Sequence, residues 1–122
     1  MRIRVPPKKV REKFLLIYEL EGCQKAVDFL TKYYGIRRLR IVLDGRRVMR
    51  TKTHKTYLAH YYRNKAYFTK RGLTKRLALH ELYHHIIDAY GLDIGLSEEE
   101  RGANRFAREF LAREKGDGEE KG

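Results

Sequence analysis

Cysteine occurs once in this 122-residue chain, at Cys23, which excludes an internal disulfide and any cysteine-rich structural metal site. With no partner signature around it and a helix-like segment about it, Cys23 reads as a packing residue. Long apolar runs are missing too. The best stretch, 14 to 20, is interrupted by Glu19 and falls far short of the roughly 18 apolar residues that would span a bilayer. The N-terminus is basic but has neither an apolar signal core nor a secretory cleavage site, so the expected location is cytoplasmic, with no membrane span. Asn, Gln, Cys and Met total only six while 36% of the chain is charged, a balance also found in proteins of thermophiles.

Acid is scarce in one part of the chain only. Residues 1 to 76 hold 22 Lys/Arg against 5 Asp/Glu, a net of +17; residues 77 to 122 hold 6 against 11, a net of −5, and the two sum to the overall +12. A basic N-terminal part of this kind suits nucleic acid or nucleoprotein contact, steering of acidic protein substrates, or a solvated thermophilic surface. The length allows one domain, 1 to 114, with a single core and no large substrate-binding subdomain. The segment 115 to 122 is polar and glycine-rich, and reads as a mobile tail.

Periodicity orders the elements. Ala26, Val27, Leu30, Tyr33 and Tyr34 recur at helical spacing and Gly35 follows, predicting a helix over 24 to 34. The run 14 to 20 reads equally as an extension of that helix or as a separate strand or helix. Residues 38 to 43 alternate and then meet Asp44-Gly45, a strand with a turn signal. Residues 57 to 62 and 66 to 69 read as a hairpin through Arg63-Asn64-Lys65. Thr74 as a cap, apolar Leu77, Ala78, Leu82, Ile86 and Ile87, and Gly91 as a stop predict a helix over 74 to 90. A last helix over 98 to 114 follows from Ala103, Phe106, Ala107, Phe110 and Leu111, with Ser97 as its cap and Glu100 at the capping-box position. The fold class expected is α+β: a small, mostly antiparallel sheet packed on one helix, followed by a second.

The first of those helices carries His80-Glu81-Leu82-Tyr83-His84, the H-E-x-x-H pattern. On a helix, residues i and i+4 share a face, so His80 and His84 can ligate one tetrahedral Zn²⁺ while Glu81 reaches the water on it as general base. A catalytic zinc commonly has three protein ligands and an open position. All five histidines lie at 54, 60, 80, 84 and 85, so a third ligand downstream must be Asp or Glu. Glu98 projects away from the apolar stripe of the last helix, whereas Glu99 and Glu100 flank it almost equally, and periodicity does not separate them.

Glu100-Arg101-Gly102-Ala103-Asn104-Arg105-Phe106-Ala107 resembles the E-x-x-A-[ND]-x-x-A helix of gluzincin metallopeptidases, among them the ImmA/IrrE-like peptidases and the HtpX-like membrane proteases. With the H-E-x-x-H pattern the likeness extends over 74 to 112, and the small size resembles the minigluzincins. The resemblance implies Glu100 as third zinc ligand and Asn104 as the residue supporting a ligating histidine from behind. Only fifteen residues separate His84 from Glu100, fewer than in many gluzincins, which keeps Glu99 and Asp93 as alternative ligands. The implied activity is peptide-bond hydrolysis by zinc-activated water, with a strand of 57 to 62 or 66 to 69 lying along an extended protein or peptide substrate. Minigluzincin zymogens are obstructed by a C-terminal segment; the corresponding expectation is latency, with Asp117, Glu119 and Glu120 approaching the zinc.

Other residues take lesser roles. Asp88 lies one turn past His84 and can orient a ligating side chain by hydrogen bonding to it. His85 points about 100° away from His84 and reads as a packed or rim histidine. His60 reads as a partly exposed strand residue, and His54 carries no signal. The tyrosines dense in 57 to 67 suit strand packing or, set among Arg and Lys, base stacking. The alternative function is therefore a basic nucleic-acid-binding or regulatory module with a structural zinc site.

Overall fold

The computed structural model describes residues 3 to 44, 49 to 50 and 56 to 112. Pro7 opens α1 (Lys8–Glu21): its carbonyl accepts the amides of Val10 and Arg11, both at 3.0 Å. The ambiguous run 14 to 20 is the second half of this helix. Gly22, at φ 96° and ψ 174°, turns the chain sharply into α2 (Cys23–Tyr34), a conformation that a side chain would strain. At the far end of α2 the left-handed Gly35 and the amide of Ile36 return to the carbonyls of Lys32 and Thr31, closing the helix where the sequence predicts.

Among the described residues five strands follow: β1 (Arg40–Leu43), β2 (Met49–Arg50), β3 (Thr56–Tyr57), β4 (Ala59–Tyr62) and β5 (Lys65–Phe68). β2 and β3 form a separate antiparallel pair. The main sheet has the order β1-β5-β4, and it is mixed, not mostly antiparallel: β5 runs antiparallel to β4 but parallel to β1. Burial accounts for this order. The inward residues of β5, Ala66 and Phe68, are fully buried and take the centre, while β4, with its exposed His60 and Tyr62, takes the edge. The β4–β5 turn is two residues long, with Arg63 and Asn64 both left-handed at φ 45° and 67°, as a tight hairpin with right-twisted strands requires. Segment 66 to 69 therefore lies at the centre of the sheet, and among the described residues β4 is an edge strand. The opposite edge, β1, is partly closed by Gln24 of α2, whose amide accepts from the Ile41 N–H at 2.8 Å and donates to the Leu39 carbonyl at 2.9 Å.

Two helices come last among the described residues, α3 (Lys75–Tyr90) and α4 (Leu96–Leu111), and their packing contributes most of the buried core. Thr74 caps α3 by accepting the Leu77 amide at 3.1 Å, and Gly91, at φ 67°, ends it. The start of α4 differs from expectation. Gly95 is the cap, its carbonyl taking the Glu99 amide at 2.9 Å, and Ser97 lies inside the first turn. No capping box forms because Glu100 turns toward α3. Glu98 and Glu99 occupy the first turn, where the helix dipole favours carboxylates. The core joins Leu79, Leu82 and Ile86 of α3 to Phe106 and Phe110 of α4, Leu30 of α2 and Phe14 of α1, whose ring meets Phe110 edge-on at 5.1 Å. Each such side chain contributes roughly 1.5–3 kcal/mol on burial. Among the described residues no helix is long and apolar enough to cross a membrane.

Candidate metal centre

The close pairing of α3 and α4 depends on one small residue. A Cβ built on Gly102 would lie 2.3 Å from the Tyr83 hydroxyl and 2.7 Å from its Cζ, so a side chain at this position would collide with the buried Tyr83 ring. That approach brings the N-terminal turn of α4 over His80 and His84.

The two imidazoles share a face of α3, with ring centroids 5.0 Å apart and their Nε2 atoms at 3.3 Å. Glu100 reaches both: Oε2 lies 2.8 Å from His80 Nε2 and Oε1 3.2 Å from His84 Nε2. The donor atoms of His80, His84 and Glu100 all fall within 4.8 Å of one another, a group able to hold a metal ion. Imidazole and carboxylate donors suit a divalent cation; the arrangement by itself does not name which one.

Glu99 is turned inward as well. Its Oε2 lies 2.6 Å from His84 Nδ1, the ring nitrogen facing away from Glu100, and the two side chains are 19% and 16% exposed. The consecutive glutamates that helical periodicity leaves unresolved thus both reach the histidines, at opposite edges of one ring. A carboxylate on the far nitrogen of a ligating histidine fixes its tautomer and raises its basicity. Periodicity leaves the pair undivided because both residues border the apolar stripe of α4; which histidine each meets depends on the angle between the two helices.

Glu81 is 5% exposed at the bottom of a cleft of about 1180 Å³ bordered by β4, α3 and the start of α4. Burial pushes its carboxyl up to about 7; His84 opposes the shift and Glu100 adds to it. A carboxyl held there is suited to taking and returning a proton near neutral pH. His80 is shifted downward, chiefly by burial, against the pull of Glu100, a direction that favours the neutral imidazole which metal ligation requires. The Asn104 side chain borders the same ring and also opposes the downward shift.

Asp88 makes its contacts elsewhere. It accepts from the Tyr61 hydroxyl at 2.6 Å and pairs with Arg37 at 3.4 Å, and neither His84 nor Glu81 is among its hydrogen-bond partners. Its neighbour His85 is fully buried, with Nε2 2.7 Å from the Arg37 carbonyl and Nδ1 3.0 Å from Tyr61 Oη. This second polar cluster, missed from the sequence, ties the connection before β1, the edge strand and α3 together behind the metal group. Alternation along β4 was its one available clue, since it sends Tyr61 to the face opposite His60. Asp93 is exposed in the connection between α3 and α4, and His60 is exposed on β4. His54, Asp117, Glu119 and Glu120 lie outside the described residues, and with them the expected latch. No protein-family model, curated protein or solved structure matches this chain.

Proposed function

We propose that the protein is a zinc-dependent metallopeptidase of gluzincin type, with His80, His84 and Glu100 as metal ligands and Glu81 as general base. The observation that carries this reading is the buried Glu81 carboxyl set beside a His/His/Glu group. Zinc suits the donor set. Ligand bonds of about 2.0–2.1 Å in a tetrahedron put neighbouring donors about 3.3 Å apart, against 3.3, 3.2 and 2.8 Å among these three side chains.

When bound, the zinc ion supplies Lewis-acid polarisation of the scissile carbonyl and acidifies a water. The protein's own groups do the rest. Glu81 takes the proton from the attacking water on a carboxylate oxygen and delivers it to the departing amine, a cycle for which its raised affinity for protons is matched. Glu99 holds His84 by Nδ1, which would leave the Nε2 lone pair free to ligate zinc. Along the edge of β4, His60 and Tyr62 sit opposite Tyr67 and Lys65 in the hairpin register, which leaves the peptide groups of Ala59 and Tyr61 facing outward to accept an extended substrate.

Turnover decides the reading. Zinc-loaded protein should cleave an unfolded protein such as reduced casein, and Glu81→Gln should lose at least about a hundredfold in kcat while retaining zinc. Absence of cleavage by both the full chain and a chain ended after Arg113, with zinc bound in each, would overturn it. Increased cleavage by the shorter chain would establish latency.

A further inference from the structure

The face of the main sheet turned away from the helices carries a different chemistry. Because Ala66 and Phe68 point into the core, strand alternation puts Arg40, Val42, His60, Tyr62, Lys65 and Tyr67 on the opposite side. The strand register sets them in two rows: Arg40, Lys65 and Tyr62 across the three strands, then Val42, Tyr67 and His60. The His60 ring is nearly parallel to both tyrosines, at 6.5 Å and 13° from Tyr62 and at 6.4 Å and 28° from Tyr67. The Arg63 guanidinium lies 5.2 Å from the centre of the Tyr62 ring.

Such rings would ordinarily be spent on core packing, yet Tyr62 is 54% exposed and His60, Arg40, Lys65 and Arg63 are exposed with it. Neither Arg40 nor Lys65 forms an ion pair with a described residue. Asp28 and Asp88 pair instead with Arg38 and Arg37, before β1 begins. The nearest acid along these strands is Asp44, partly buried just past the end of β1.

Aromatic π-faces flanked by cations and poor in carboxylates match a strand whose bases stack and whose phosphates carry the charge. A duplex keeps its base faces stacked on one another and has none to offer the rings. We propose that this sheet face binds single-stranded nucleic acid, with His60, Tyr62 and Tyr67 as the stacking platform and Arg40, Arg63 and Lys65 as phosphate contacts. None of the six is a metal ligand, though His60 also borders the cleft that holds Glu81; Arg40, Tyr62, Arg63, Lys65 and Tyr67 do not line it.

The test is fluorescence anisotropy of the full chain with labelled oligo(dT) and oligo(U) of about 12 nucleotides, and with a duplex of equal length. Single strands should bind with an affinity that falls steeply with salt. Tyr62→Ala and His60→Ala should each weaken binding about tenfold, while Tyr62→Phe retains it. The pair Arg40→Glu/Lys65→Glu should weaken it far more than Lys25→Glu/Lys32→Glu, an equal charge change on α2. Circular dichroism checks that each variant is folded, and the ratio of oligo(U) to oligo(dT) affinity tells RNA from DNA. Three results would overturn the proposal: no single-strand binding at low salt, a duplex bound as tightly, or equal weakening by the α2 pair. Glu81→Gln and chelation of metal should leave binding unchanged, so this test and the turnover test fail independently.

Discussion

Gly102→Ala sets two opposing effects against each other on one helix. In the interior of α4, alanine should gain up to about 1 kcal/mol over glycine from helix propensity. Against that, the new methyl would stand 2.3 Å from the Tyr83 hydroxyl and 2.7 Å from Cζ, both below any real carbon contact. The Tyr83 ring cannot swing clear, because it is 3% exposed and packed 5.6 Å from Phe106. Overpacking of this kind costs about 1–3 kcal/mol. The steric cost wins, leaving a net loss of up to about 2 kcal/mol, which lowers Tm by about 4 °C per kcal/mol in a chain of this size. The same shift of α4 carries Glu99 and Glu100 away from the histidines, so zinc affinity should fall at least about tenfold. Thermal unfolding and zinc titration read the two effects. In a Tyr83→Leu background, with the ring gone, Gly102→Ala should become neutral or stabilising. A Gly102→Ala protein with unchanged or raised Tm and unchanged zinc affinity would refute the claim that this contact sets the spacing of the two helices.

Two further predictions concern titrating groups. Glu81 is raised from 4.5 to about 7 by burial, so in metal-free protein the folded state binds more protons than the unfolded state between those values. The stability associated with protonated Glu81 is fully present below about pH 4.5 and is lost as pH rises through 7, a difference of about 3 kcal/mol. Glu81→Gln should therefore stabilise the metal-free protein by up to that amount at pH 8 and by almost nothing at pH 4 in urea unfolding; a pH-independent difference would contradict the buried carboxyl. Cys23 is pushed up to about 11 by burial, with a Tyr18 hydrogen bond opposing. Two units above the ordinary thiol reduce the thiolate about a hundredfold, and the higher nucleophilicity of a more basic thiolate restores about tenfold. Alkylation of the folded protein by iodoacetamide at pH 7.5 should be at least about tenfold slower than that of the denatured chain; equal rates would contradict it.

Local signals made much of this fold legible. Thr74, the apolar spacing and Gly91 define α3 to within a residue because each acts on the chain next to it. The hairpin of β4 and β5 was readable for the same reason. The mixed sheet was not, since the pairing of β1 with β5 joins segments far apart in the chain and depends on which strand buries Ala66 and Phe68. The run 14 to 20 has no period of its own to type it; it is helical because α1 begins upstream at Pro7 and packs Phe14 on Phe110. At the metal group, the spacing of His80, Glu81 and His84 follows from helical geometry alone. The roles of Glu99 and Glu100 needed the angle between two helices, and the sequence holds that only indirectly, in Gly102 and Tyr83. Asp88 shows the limit of counting turns: it sits at the right interval from His84, but Tyr61 and Arg37 take up its oxygens.

Zinc content by elemental mass spectrometry decides whether His80, His84 and Glu100 form a metal centre, on wild type, Glu100→Gln and Glu99→Gln purified side by side and dialysed against a weak chelator. One zinc per chain is expected in wild type, none in Glu100→Gln, and an intermediate content in Glu99→Gln that refills at about 10- to 100-fold higher free zinc because only the support of His84 is lost. Absence of zinc from wild type after reconstitution, or full retention by Glu100→Gln, would contradict a metal centre built on His80, His84 and Glu100.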